Sequence, residues 1–323
     1  MATTSPIVER SGHIDWLLGG EPWVVYRTLV DLLGRKRDDH EILAARKEVA
    51  RHPLIEKIFR RQDPRGWWGD SGDMHKWWPR KETTFWMLPV LADFGLTIEE
   101  PHLARAAECV LGLQLPDGGF LGWQPGRAAE CHTAILLESL AHMGLADDPR
   151  IGRAYAWLLG RQRPDGGWWC KDTGQPGGPR EKEPSCPFAT MFVLGALAQR
   201  PELSDAEASR RSVAFLLDCW THRQKVKYPG HDSQIGPQWG KLKYPFVDYR
   251  ILKFLDVLSR FPAARRDPRT REMFSLLEDE ADEGGRFRPE SVVRSWADFD
   301  FGQKTEPSRW ITALVWRVKR RLY

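Results

Sequence analysis

Two copies of one seven-residue turn, Gln114-Leu-Pro-Asp-Gly-Gly-Phe120 and Gln162-Arg-Pro-Asp-Gly-Gly-Trp168, lie 48 residues apart in a chain of 323. Each follows one apolar helical stretch and precedes another, so the chain repeats a helical unit. A period of this size restricts it to stacked hairpins that bury their apolar faces against one another. Degenerate copies stand at Gln62-Asp-Pro-Arg-Gly-Trp67 and Asp282-Glu-Gly-Gly-Arg-Phe287. The Gly-Gly pair suits a tight or left-handed turn that excludes a Cβ. Gln and the aromatic are expected to tie neighbouring hairpins together, and Asp117 and Asp165 to be structural.

Helix signals recur around these turns. Residues 22–33 begin with Pro22 and end before Gly34; residues 38–62 read as one amphipathic helix broken near Pro53, where proline removes a donor. Pairs follow at 83–95 with 101–112, 131–144 with 148–160, 186–200 with 204–220, and 246–261 with 267–278, before a last helix at 307–322. Asp148-Pro149 and Asp267-Pro268 each supply a cap and a first-turn proline, and Ser204-Asp-Ala-Glu207 reads as a capping box. The first helix of each pair is almost wholly apolar, hence buried, while the second is amphipathic, hence external. The expected fold is therefore all-α: an α/α-toroid of about six hairpins, residues 1–323 forming one domain. Trp16-Leu-Leu-Gly19 matches Trp157-Leu-Leu-Gly160, so the N-terminal helix is expected to close the ring beside the last inner helix.

The balance of 48 basic against 44 acidic residues, a formal charge of +4, gives no reason to expect a nucleic-acid partner. The basic run at 317–321 reads as a solvated helix end that complements the helix dipole. No stretch approaches the ~18 apolar residues of a membrane span and residues 1–6 lack a signal-peptide core, so a soluble, cytoplasmic protein without integral membrane association is expected. Five cysteines, an odd number, argue against a disulfide framework and for free or metal-bound thiols.

At its turns the chain resembles the prenyltransferase and squalene-cyclase repeat superfamily, the class II terpene cyclases and the β subunits of protein prenyltransferases. That resemblance implies a toroid with a central, aromatic-lined cavity accepting isoprenoid chains. It carries over to the chemistry incompletely. Class II cyclases protonate an alkene with an Asp-x-Asp-Asp motif, and Asp298-Phe-Asp-Phe301 lacks the fourth position. Prenyltransferases hold zinc with Asp-x-Cys and a later His; Asp218-Cys219 lacks the spacer, and Pro307-Ser-Arg-Trp310 has no histidine. Asp38-Asp39 and Asp147-Asp148 look like helix starts.

In a toroid every inner helix begins at one rim. Cys131, Cys170 and Cys186 fall there with His132, and His75 and His231 flank them, so three thiolates with or without a histidine could hold zinc; the alternative is small buried hydrophobes. Asp298 and Asp300 precede the last inner helix and are the candidate general acids, or else a capped loop paired with Lys304. Trp67, Trp68, Trp77, Trp78 and Trp86, together with Trp310, offer aromatic walls for substrate. Lys241, Lys243, Tyr249 and Arg250 could clamp a diphosphate, or stay solvated. Three functions fit: an enzyme of the terpene cyclase or prenyltransferase type acting on an isoprenoid or similar apolar small molecule; a non-catalytic toroid binding a lipid-like ligand or a protein partner through the Trp67–Trp86 rim; or a carbohydrate-active toroid.

Overall fold

The computed structural model describes residues 12–70, 72, 82–122, 124, 126–170, 183–230, 234–246 and 248–323. Among them the chain is helical, with two isolated β-bridges, Gln114 to Phe120 and Leu121 to Ala128, and no strand. The helices are α1 (Gly12–Leu18), α2 (Pro22–Arg27), α3 (His40–Arg51), α4 (Pro53–Arg60), α5 (Thr84–Asp93), α6 (Pro101–Leu111) and α7 (Glu130–Leu140). There follow α8 (Pro149–Leu159), α9 (Pro187–Leu197), α10 (Glu207–Thr221), α11 (Ile251–Leu258), α12 (Pro262–Arg266), α13 (Pro268–Glu278) and α14 (Arg309–Leu322).

Local chemistry sets these boundaries. Proline opens α2, α4, α6, α8, α9, α12 and α13, where its missing N–H costs nothing. Asp39, Glu100, Asp148, Asp267 and Ser308 accept first-turn amides as caps. The break expected near Pro53 falls at His52, whose ring caps α4. Two expectations are corrected. The capping box at Ser204 does not form: residues 201–203 make a 3-10 turn that takes Ser204 as its C-cap, and α10 starts at Glu207 after an uncapped Ala206. The fifth inner helix starts at Ile251 rather than near 246, because residues 242–246 are buried as a non-helical segment.

The helices form two layers. Nearly every residue of α5, α7, α9 and α11 is buried, whereas α6, α8 and α13 bury one face. The inner helices pack in order, α5 on α7, α7 on α9, α9 on α11, α11 on α14 and α14 on α2. Arg27 links α2 to α5 by donating from Nε to the Asp93 carbonyl at 2.6 Å. At the seam His13 of α1 stacks on Trp316 of α14 with ring centroids 3.9 Å apart.

The repeat turn works as a rivet. In the three copies that begin with Gln, its side chain donates to the carbonyl of its own turn, Gly66, Gly118 or Gly166. The same amide donates to the first turn of the next outer helix, at His102, Arg150 or Ala208. The turn glycine has φ of +112°, +104° and +89°, and a Cβ there would lie 2.6–2.8 Å from a backbone oxygen of that outer helix. Glycine is thus required twice over, by conformation and by space. Asp117 and Asp165 are engaged structurally, accepting the amides of Gly119 and Gly167.

Candidate functional site

The interior of the ring, between the C-terminal halves of the inner helices, is charged. Arg27 and Asp31 come from the first inner helix and the π-helical turn Thr28–Leu32 that continues it, and Asp93 from the end of α5. Glu138 and His142 come from α7 and its own π-helical continuation Ala141–Leu145, Lys253 and Asp256 from α11 with Arg260 just beyond it, and Arg317 and Arg321 from α14. The fourth inner helix, α9, contributes space: a Cβ on Gly195 would fall 2.8 Å from Glu138 Oε2. Ion pairs cross the ring. Lys253 reaches Glu138 at 2.9 Å, Arg260 reaches Glu138 at 3.1 Å and Asp256 at 2.6 Å, and Arg317 reaches Asp256 at 2.8 Å and Asp31 at 3.3 Å. Arg321 adds 2.9 Å to Asp256.

These charges settle one another's protonation. Burial opposes the ionisation of Asp256, but Arg260, Arg317 and Arg321 outweigh it and hold the carboxyl well below its ordinary range; Asp31 is lowered likewise by Arg27 and Arg317. Asp93 goes the other way, raised by burial. It also ends a helix, where the dipole disfavours negative charge. Tyr244 donates its hydroxyl to Asp93 Oδ2 at 3.0 Å, and burial followed by Asp93 pushes that phenol well up. Burial and Arg27 push His142 well down, so it is neutral. Asp93 keeps 17 % of its side-chain surface accessible and Glu138 13 %, so the interior is not sealed at this level. The resemblance leads one to expect an aromatic-lined hollow. The described residues instead place ion pairs here, and the aromatic faces of Phe192 and Phe246 are engaged by Lys253 at 5.5 and 5.6 Å.

Above the charges lies an aromatic cluster. Trp310, 0 % exposed, packs edge-on to Phe94 and Tyr244, and Phe94 stacks on Trp23 at 4.8 Å. Tyr244, carried in by the segment before α11 across a cis bond to Pro245, also meets Phe246 and Phe301.

The other candidates scatter. Asp298 stands at the surface, 56 % exposed, with Lys57 at 2.6 Å in place of Lys304. Asp300 caps α14, its Oδ2 accepting from Ser308 Oγ and the Trp310 amide, while burial raises its pKa against those bonds. It borders an open pocket of about 270 Å³ with Trp16, Glu21, Arg286 and Arg309. Lys243 is buried and paired with Asp248, which corrects the expectation of solvated lysines, and Lys241 is half-buried. Tyr249 is buried beside Trp239 and Phe254, and Arg250, the N-cap of α11, donates to the Gln238 carbonyl. The basic run at 317–321 is a solvated end only in part: Arg320 is exposed and Lys319 half-exposed, but Arg317 and Arg321 turn inward to Asp256. Arg317 is 2 % exposed because α14 is an inner helix whose last turns face other inner helices.

Of the tryptophans, Trp86 is core and Trp68 is core with Nε1 donating to the Ile58 carbonyl; Trp67 lies half-buried under Arg65. Trp77, Trp78, His75 and His231 lie outside the described residues. Beside Trp68 a cavity of about 750 Å³ opens at the rim, lined by Gly69, Asp70, Glu82 and Thr83 on one side and Val292, Val293 and Arg294 on the other, with Arg61 paired to Glu82. Of the proposed thiolate set, Cys131 and Cys170 meet, Sγ to Sγ 3.1 Å, and His132 packs on Phe85. Cys186 occupies the N-cap position of α9 without a side-chain capping bond, and its charge is felt by Cys219 and Tyr249. Among the described residues no group of three or more His, Cys, Asp or Glu is arranged to hold a metal ion.

Inner and outer helices bound by the repeat turn define the chain as an α/α-toroid of the terpene-cyclase type. Residues 68–261 match the squalene-hopene cyclase C-terminal domain, and the chain belongs to that family. Similar solved structures include a protein from Actinoplanes, 16 % identical, covering 93 % of this chain and 90 % of that one with a TM-score of 0.45. A point variant of the type II terpene cyclase MstE from Scytonema, solved with geranylgeranyl dihydroxybenzoate as substrate, is 14 % identical, covering 94 % of this chain and 87 % of that one with a TM-score of 0.47. No curated protein matches the chain.

Proposed function

We propose that this toroid binds an isoprenoid or similar apolar chain at the rim cavity between Trp68 and Val293, with the ring as its rigid scaffold. The observation that carries this reading is the cavity itself. Its volume of about 750 Å³ suits a ligand of that class; Val292 gives it accessible apolar surface over the buried Trp68 and Val293, while Arg61, Asp70, Glu82 and Arg294 can meet a polar head. Membership of the squalene-hopene cyclase family supports the ligand class. The ion pairs across the interior argue against an apolar chain lying where Lys253 and Glu138 meet. Titrating the protein with isoprenoid alcohols and diphosphates of graded length is the test. Saturable binding that weakens at least tenfold in Val292→Asp is expected, and no thermal shift at any length removes the reading.

A second reading, turnover of the same ligand class, is favoured by one observation. Asp93 is a carboxyl whose pKa is raised by burial, hydrogen-bonded to Tyr244 within reach of the aromatic cluster. Burial favours the proton on Asp93 while Arg27, 3.7 Å away, opposes it; in its protonated form the carboxyl can give that proton to an alkene, and aromatic faces stabilise the cation that results. Product formation abolished by Asp93→Asn, with ligand affinity kept, would establish it. Product formation that survives Asp93→Asn would place the acid elsewhere.

A further inference from the structure

The five cysteines are all thiols, and two of them, far apart in sequence, touch. Cys131 lies in the first turn of α7, an inner helix, and is buried at 4 % exposure. Cys170 follows the second complete repeat turn, two residues after Trp168, and is half-buried. Their sulfurs are 3.1 Å apart. A disulfide needs about 2.05 Å, so a shift of roughly 1 Å completes the bond.

Both flanks are held. The amide of Trp168 donates to Thr190 Oγ1 in α9, and its indole donates to the Leu158 carbonyl in α8. On the other side Thr133, two residues after Cys131, accepts the Phe120 amide of the preceding turn. The two sulfurs are thus brought together by the repeat geometry, one from the start of an inner helix and one from the segment just after the next repeat turn.

We infer that Cys131 and Cys170 form a dithiol site that closes to a disulfide on exchange with a low-molecular-weight disulfide such as oxidised glutathione. The half-buried Cys170 attacks first; its hydrogen bond with Cys131 and its burial push its thiol pKa well up, so the exchange quickens as pH rises. The Cys170 thiolate displaces one glutathione thiolate and forms a mixed disulfide; Cys131 sulfur then attacks Cys170 sulfur and displaces the second. Two protein S–H bonds and one glutathione S–S bond are exchanged for one protein S–S bond and two glutathione thiols, which carry off both protons. The closed bond joins the third inner helix to the turn that leads toward the fourth, and fixes the rim at that point.

The test uses the full chain, treated with oxidised glutathione and then alkylated under denaturing conditions. Expected is a loss of about 2 Da, two fewer alkylated thiols and a cross-linked peptide containing Cys131 and Cys170, all reversed by dithiothreitol. A rise in unfolding temperature of roughly 5–10 °C should accompany closure of so long a loop. Cys131→Ser should stop at a stable glutathione adduct on Cys170, and Cys109→Ser should behave as the unaltered chain. Five alkylated thiols after treatment, or a cross-link joining other cysteines, would overturn the inference. So would one equivalent of tightly held zinc that blocks oxidation and is lost in Cys131→Ser, since the pair would then be metal ligands.

Discussion

At the scale of single residues the repeat turn does most with least. Gly166 sits at φ +89° with the Arg211 carbonyl 2.6 Å from where a Cβ would go. Gly166→Ala should therefore cost about 2–3 kcal/mol, read as a lowered urea midpoint. Gly152, inside α8 with open space around it, provides the contrast: Gly152→Ala should raise stability by about 0.5–1 kcal/mol. The motif's glycines and glutamines announce themselves in the sequence, but their partners do not. Thr84, Thr133, Thr190 and Thr312 each accept the amide of the turn's aromatic residue from the start of an inner helix. Their spacing from the aromatic varies with loop length, so the pattern is visible only once helix starts are aligned. Thr190→Val, which leaves the Trp168 amide buried and unpaired, should cost about 1–3 kcal/mol in the same measurement.

At the scale of elements, the inner helices are the instructive case. Their nearly continuous apolar character identifies them as buried, and it also conceals the charges. Lys253 and Asp256 sit inside Ile-Leu-Lys-Phe-Leu-Asp-Val-Leu, and Glu138 inside Leu-Leu-Glu-Ser-Leu. A lone charge in a helix that is buried all round must find an opposite charge, and that rule was the available signal for the network. The i,i+4 pairs Arg27 with Asp31 and Asp256 with Arg260 are visible in the spacing, but no sequence pattern supplies the partners of Glu138, Lys253, Arg317 and Arg321, because those pairs are made between different helices. Asp256 is the hub, serving Arg260, Arg317 and Arg321. Asp256→Asn should cost about 3–5 kcal/mol by removing the carboxylate of Arg321 and leaving Arg260 and Arg317 with one partner each, Glu138 and Asp31, measured by thermal or urea unfolding. Replacing the exposed partner Asp298, which meets only Lys57, should change stability by less than about 1 kcal/mol. The rim candidates were harder to read for another reason. They lie in loops whose course is set by tertiary contact, as with the segment that carries Tyr244 to Asp93.

For the whole molecule the network predicts a response to acid. Asp31 and Asp256 have depressed pKa values in the fold, so their contribution is complete above the ordinary carboxylate value near 4 and is lost as pH falls through their folded values. Asp93, raised, acts with the opposite sign: its contribution is greatest below about 4 and fades as pH rises through its folded value. The unfolding temperature should therefore fall on acidification below about pH 4, and fall less steeply in Asp256→Asn. An acid limb equally steep in that variant would show that other carboxylates govern it.

Arg317 and Asp31, which meet at 3.3 Å, are 286 positions apart along the chain. During translation Arg27 can pair at once with Asp31, one turn on, and then with Asp93, but Asp31 must wait for the last inner helix before it meets Arg317. Incomplete rings, with ionic side chains turned toward a half-built hollow, are the expected clients of folding helpers. A circular permutant opened elsewhere, bringing these two helices together early, should regain its native state faster than the natural order of segments.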